Sequence, residues 1–233
     1  MGCGDGTKAA FFVSELKKIK KDLKIRYCPI DISSYMVSKA TETFAKSHGD
    51  EIVRFQYNIS DFENLENITP LLRNSDFKTS IFLLMGNTLG NFEIHELLYT
   101  IRVSMAPSDV FVVDTAIDDN KQQERAATYQ KSQLWNKWLI HIPLQLGLEK
   151  SDVQLGARFQ NTRIEVYFTL LKDKDVAFQD KSIRFKKGDQ IIILVAYKHN
   201  KEDLKSYLNM HFDNVHFKFS KDNSKVLATC SRG

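Results

Sequence analysis

Gly2, Gly4 and Gly6 alternate with Cys3 and Asp5 at the head of this 233-residue chain, in MGCGDGTK. Glycines at this spacing let backbone approach a ligand closely, and the N-terminus of a following helix favours an anionic group. Two nucleotide loops are excluded by residue type. The fingerprint G-x-G-x-x-G needs glycine where Thr7 stands, and no G-K-[ST] follows as in a P-loop. Two acids extend the pattern. Asp31 closes YCPIDIS, and Asp61-Phe62 closes the next strand-like stretch. A carboxylate at a strand end can accept two hydrogen bonds from ribose hydroxyls. Asp61 offers an acceptor for an exocyclic amine, and Phe62 an aromatic face for a base. Either aspartate alone reads more readily as a turn or helix cap. Taken together, three successive strand ends point to a nucleoside.

The elements that must carry these residues are legible from periodicity. Phe12, Leu16, Ile19 and Leu23 repeat at helical spacing over 7–23. KIRYCPIDIS reads as a short strand, and Ser33 or Ser34 can cap a helix through about residue 47. EIVRFQYNI (51–59) is the next expected strand, followed by a short helix near 63–73. TSIFLLMGN is a continuous apolar run, hence a strand buried on both faces, and DVFVVDTAI is a fourth. An amphipathic helix over 93–105 separates them. Alternation of this kind implies a doubly wound parallel sheet with ligands beyond the carboxyl ends of its strands. After residue 118 the rhythm changes. Residues 119–142 read as one long helix with Trp135, Trp138 and Ile142 on a packing face, ended or kinked by Pro143. RIEVYFTLL, KSIRF and DQIIILVAYK are strand-like. A helix at 201–211 leads to NVHFKF and KVLATC, which suggest an antiparallel edge hairpin.

Bulk properties narrow the class. Length and a 42% apolar composition suit one α/β domain with an inserted subdomain. The net charge of +4 mixes 33 bases with 29 acids, so nucleic acid is not an expected partner. The basic run KKIKKDLK (17–24) reads as a solvated helix face. Three scattered cysteines and six scattered histidines suggest neither a disulfide framework nor a metal site. No apolar run approaches the ~20 residues that a membrane helix needs. A cytoplasmic enzyme acting on a small molecule is the expectation, with oligomeric state left open.

This strand-end pattern resembles the class I S-adenosylmethionine-dependent methyltransferases. LLMGNTLGNFE (83–93) makes the resemblance more specific, because a strand ending in G-x-T-x-G-N is similar to the histidine-specific Nα-methyltransferases of the ergothioneine pathway. Lys8 after the glycine loop, CPIDIS, SDFENL and RIEVYF resemble further segments of that family. The resemblance implies a Rossmann-like doubly wound domain, 1–118 with 201–233, and a smaller α+β substrate-binding subdomain, 119–200. It implies S-adenosylmethionine as cofactor, surrounded by Gly2, Gly4, Lys8, Asp31, Asp61, Phe62 and Gly86. Gly86, Thr88 and Asn91 would line the reaction chamber. Asn91 would hold the substrate's amino and carboxylate groups, and Tyr129 its carboxylate.

Two departures bear on function. The family reads histidine with a glutamate and a serine two residues apart, in a segment like T-E-x-S-A-K. Aligned through GDQIIILVAYK, those positions are Leu194 and Ala196, and the family's methionine in W-I-E-M is Val166. An imidazole left without a buried polar partner is penalised. The expected substrate is therefore an amino acid-like amine other than histidine, with Val166, Leu194 and Ala196 meeting its side chain. A core strand that never faces substrate is the alternative for 190–198. The family also carries a helical region and a central strand ahead of the glycine loop, so residues upstream of Met1 are expected. A methyltransferase for another small molecule or RNA, and a non-catalytic S-adenosylmethionine-binding module, are the competing functions.

Overall fold

The computed structural model describes residues 1–53, 58–74, 76–178 and 180–233. The chain folds as two compact units, Met1–Ile117 with Lys201–Gly233, and Asp118–Asn200. Elements are numbered along the chain.

The first unit contains α1 (Thr7–Ile19), α2 (Ser34–His48), α3 (Leu65–Leu72), β1 (Ile81–Leu84), α4 (Ile94–Ser104) and β2 (Val110–Ala116). It is completed by α8 (Lys201–His211), β8 (Asn214–Phe219) and β9 (Lys225–Ser231). The sheet order is β1-β2-β9-β8. β1 and β2 are parallel, with Ile81 opposite Val110, and β9 runs antiparallel to both β2 and β8. The sheet is thus mixed rather than wholly parallel. β8 and β9 form a hairpin, so one of them must oppose β2. Of this hairpin β9 lies inside the sheet and β8 is at an edge, with β1 at the other. β1 buries Phe82 and Leu84 on one face but leaves Ile81 45% exposed, so it is not buried on both faces. The core joins Leu84, Phe111 and Val113 to Leu98 and Ile101 of α4 and Leu204 and Leu208 of α8. The buried carboxylate of Asp109 accepts from Arg73 and from the Ser80 and Ala106 N–H groups, which fixes where β1 and β2 begin.

The segments around Tyr27 and Asp31 form isolated parallel bridges instead of full strands, Tyr27 with Ile52 and Asp31 with Ile59. Residues 54–57 of the strand expected at 51–59 lie outside the described residues. Ser33 caps α2 as expected, accepting the Met36 N–H at 3.3 Å. α1 ends at Ile19, short of Leu23.

The second unit opens with α5 (Gln122–Lys131), α6 (Gln133–Leu139) and α7 (His141–Gln145) where one long helix was expected. Ser132 breaks it. Its backbone is extended and its hydroxyl caps α6 on the Trp135 N–H. Pro143 falls in the first turn of α7, where its missing N–H costs nothing. Trp138 is 65% exposed, so the packing face expected for the tryptophans does not include it. β3 (Val153–Gln160), β4 (Arg163–Leu170) and β7 (Gln190–Tyr197) make an antiparallel sheet, and β5 (Lys174–Phe178) and β6 (Lys181–Phe185) a separate hairpin. Ile164, Val166, Phe168 and Leu170 of β4 pack under Ala126 and Leu139. Among the described residues no helix is long and apolar enough to cross a membrane.

Candidate cofactor and substrate site

The glycine loop is built by left-handed backbone. Gly2, Gly4 and Gly6 have φ of +55°, +51° and +78°. L side chains rarely adopt this region, and glycine enters it freely. The three differ in their surroundings. A Cβ on Gly6 would lie 2.7 Å from the backbone of Ala40 in α2, so this glycine lets α1 pack on α2. A Cβ on Gly2 would meet Thr88 at 3.0 Å, whereas Gly4 faces open space. The loop is tethered on both sides. The Cys3 N–H donates to the Ile30 carbonyl at 3.3 Å, and the Met1 amine to the Leu83 carbonyl of β1 at 2.9 Å. Asp5 accepts the Thr7 N–H at 3.0 Å where α1 begins.

The loop borders a cleft of about 240 Å³ that brings together Gly2, Gly4, Lys8, Gly86 and Thr88, with Tyr27 on its wall. Burial pushes the Cys3 and Cys28 thiols up to about 11, so neither is a thiolate nucleophile near neutrality. The chemistry open to this cleft is recognition of a ligand by backbone, the Met1 amine, the Lys8 ammonium and the Asp5 carboxylate; Asp31 and Asp61 are not among its lining residues.

The carboxylates lie in the same unit. One oxygen of Asp31 accepts the Ser33 N–H at 3.0 Å, and the other lies 3.9 Å from the Cys3 sulfur. Asp61 accepts the Glu63 N–H at 3.3 Å, capping a short 3-10 helix, Phe62–Asn64. The capping role and the ligand role are compatible, since a carboxylate has about four acceptor positions. Phe62 is buried and packs on Phe92 at 5.2 Å between centroids, with its ring edge toward Gly2.

Beyond β1 the chain turns sharply through Gly86 (φ +94°) and Asn87 (φ +64°) into a 3-10 turn, Thr88–Asn91. The Thr88 hydroxyl donates to the Met85 carbonyl at 3.0 Å, and the Asn91 side chain is exposed. Two residues not singled out from the sequence lock this turn. Asp114, near the end of β2, accepts the N–H groups of Gly86 and Asn87 through one oxygen. Asn87 answers with its side-chain oxygen, which accepts the Thr115 hydroxyl and the Ala116 N–H, each at 3.0 Å. An acid interrupting the apolar run DVFVVDTAI was the available signal for Asp114.

Within the second unit, Tyr129 on α5 packs beside Trp135 at 5.0 Å. Val166 is fully buried and pairs with Leu194 across β4 and β7, while Ala196 pairs with Ile164. Leu194 and Ala196 are half-buried against the core of this unit. Their common face is apolar. Among the described residues no cluster of histidine, cysteine, aspartate or glutamate could hold a metal ion.

Comparison with known proteins follows the same lines. A family model described as "Histidine-specific methyltransferase, SAM-dependent" matches residues 1–232. No curated protein matches the chain. Solved structures similar to it include an S-adenosylmethionine-dependent methyltransferase from Clostridium acetobutylicum, 15% identical, with 98% of this chain and 92% of that one covered and a TM-score of 0.46. DesVI of Streptomyces venezuelae is 13% identical over 100% of this chain and 81% of its own, with a TM-score of 0.43. The sugar N-methyltransferase KedS8 of a Streptoalloteichus species is 11% identical over 99% and 77%, with a TM-score of 0.42. These likenesses are distant, and the whole-chain family match is what assigns the chain.

Proposed function

Because the chain belongs to the histidine-specific, S-adenosylmethionine-dependent methyltransferase family, we propose that it methylates the α-amine of an amino acid-like molecule other than histidine. The first unit fits the cofactor. Gly4 opens on free space, Gly2 packs close to the Thr88 side chain at a positive φ that favours glycine, and Lys8 stands in the same cleft. On this reading Gly2, Gly4, Lys8 and Gly86 hold the methionine end, Asp31 the ribose, and Asp61 with Phe62 the adenine. When bound, the cofactor supplies a methyl group on a sulfonium, already activated for attack by a neutral amine.

Such a transfer asks the protein chiefly to align the amine and exclude water. Asn91, at the end of the locked 3-10 turn, is the group proposed to orient the substrate's amino acid end. By the family resemblance, Tyr129 is proposed to hold the carboxylate. The amine's proton leaves to water, since the proposed mechanism requires no protein base.

The observation that carries the substrate choice is the apolar pair Leu194 and Ala196, half-buried on β7 beside the fully buried Val166 of β4. It supports an apolar or aromatic side chain over an imidazole, which needs polar partners. The test is mass spectrometry of a pooled amino-acid mixture incubated with the protein and isotopically labelled S-adenosylmethionine. Label is expected on the α-amine of apolar or aromatic amino acids. Preferred labelling of histidine overturns the substrate reading, and absence of label from every free amino acid overturns the amino-acid class.

A further inference from the structure

Asp114 spends its two carboxylate oxygens on different tasks. Oδ1 accepts from the Gly86 and Asn87 amides, and Oδ2 lies 3.3 Å from the Lys8 ammonium. One side chain therefore joins the helix that follows the glycine loop to the turn that presents Thr88 and Asn91. Lys8 sits close over this turn. Its nitrogen would lie 3.4 Å from a Cβ on Gly86, van der Waals contact, so the ammonium stands against this turn.

Lysine is a flexible cation with a large rotamer entropy to lose on binding an anion. The Lys8 side chain is about half exposed. Among the described residues its ion-pair partner is Asp114, at 3.3 Å. An ammonium has three donors, so the pair leaves two free for a ligand in the cleft. Pairing in advance removes part of the ordering cost that binding would otherwise carry.

We infer that Asp114 is a positioning residue of the cofactor site, holding Lys8 over the Gly86 turn so that its ammonium meets the amino acid carboxylate of S-adenosylmethionine. The inference rests on the cofactor reading above, in which Lys8 lies at the methionine end. Asp114 is not among the residues that line the cleft, whereas Lys8 is, so Asp114 acts through Lys8.

The test is a double-mutant cycle read by calorimetric binding of S-adenosylhomocysteine. Asp114→Asn keeps an oxygen for the two amides and loses the charge that holds Lys8. In the Lys8 background it is expected to weaken binding about threefold to tenfold, the range of an assisted surface pair. In a Lys8→Met background the same change is expected to leave affinity within about twofold, because there is no ammonium to place. Equal losses in both backgrounds would show a structural role only and overturn the proposal. No loss in either would overturn it as well. If Asp114→Asn fails to fold, Asp114→Glu, which keeps the charge but moves it, is compared across the same two backgrounds with the same outcomes. Failure of the unaltered protein to bind S-adenosylhomocysteine would overturn the cofactor reading and this proposal with it.

Discussion

Asn87 accepts the backbone N–H of Ala116 at 3.0 Å from a left-handed residue, so a turn beyond β1 is stitched to the end of β2 by a side chain. The same oxygen takes the hydroxyl of the buried Thr115. Removing it leaves two donors without this acceptor, at about 1–3 kcal/mol. Asn87→Gly keeps the required φ and loses both bonds. Methyl transfer is expected to fall roughly tenfold in kcat/KM as Asn91 loses its fixed position, with S-adenosylhomocysteine affinity little changed. Asn87→Ala should lower Tm further than Asn87→Gly, because a Cβ at positive φ adds ~1–2 kcal/mol.

Two glycines of the loop should respond differently to alanine. At Gly6 the new Cβ would collide with the Ala40 backbone at 2.7 Å, and backbone cannot swing away. At Gly4 it would meet nothing within 4 Å. Gly6→Ala is therefore expected to lower Tm strongly by forcing α1 off α2. Gly4→Ala should show only ~1–2 kcal/mol of backbone strain but weaken S-adenosylhomocysteine binding. Thermal melts beside calorimetry separate the two, and matched Tm losses would contradict the assignment.

Restoring polar readers in the second unit should move specificity toward histidine. Leu194→Glu with Ala196→Ser gives β7 the acceptors that the family resemblance associates with an imidazole. A missing partner is worth about 1–3 kcal/mol, roughly 5- to 150-fold in selectivity. Competition between histidine and an apolar amino acid for labelled methyl reads the shift. An unchanged ratio would mean that this face does not meet the substrate.

Acid should destabilise the second unit through Asp152. Its side chain is inaccessible and lies 2.7 Å from the Lys172 ammonium and 3.1 Å from that of Lys174. The bond from Lys172, then the Glu149 N–H and Lys174, hold its carboxyl well below the usual range. A depressed folded value contributes stability above the ordinary ~3.9 of an aspartate and loses it as pH falls toward the folded value. Both tryptophans of the chain, Trp135 and Trp138, lie in this unit, so intrinsic fluorescence reports its unfolding. Asp152→Asn is expected to be less stable than the parent at pH 7, with the gap narrowing below about pH 3. A gap constant with pH would assign the loss to packing.

Much of this arrangement was readable from residue order. The apolar runs that became β1 and β2 and the helical spacing of α4 needed no tertiary information. Other features depended on contacts far along the chain. β3 was not legible because VQLGARFQ mixes Gly156 and Arg158 into its alternation. Gly156 is there to receive the Tyr167 ring, which would lie 2.5 Å from its Cβ. β5, KDVAF, is short and charged, and forms only as a hairpin with β6. The break at Ser132 was hidden because serine is tolerated inside a helix as well as at its cap. The roles of Asn87 and Asp114 are not legible in the sequence, since their partners lie on separate strand ends.

The central claim, a nucleoside cofactor held from the glycine loop to Asp31, is tested most directly by calorimetric titration with S-adenosylhomocysteine. Asp31→Ala, which also removes the acceptor of the Ser33 N–H, is compared with the parent, and circular dichroism checks that helix content is kept. The account predicts saturable binding by the parent, binding weakened about tenfold or more by loss of the ribose acceptor, and no heat from NAD at the same concentrations. Equal affinity in Asp31→Ala, or NAD displacing S-adenosylhomocysteine, would contradict it.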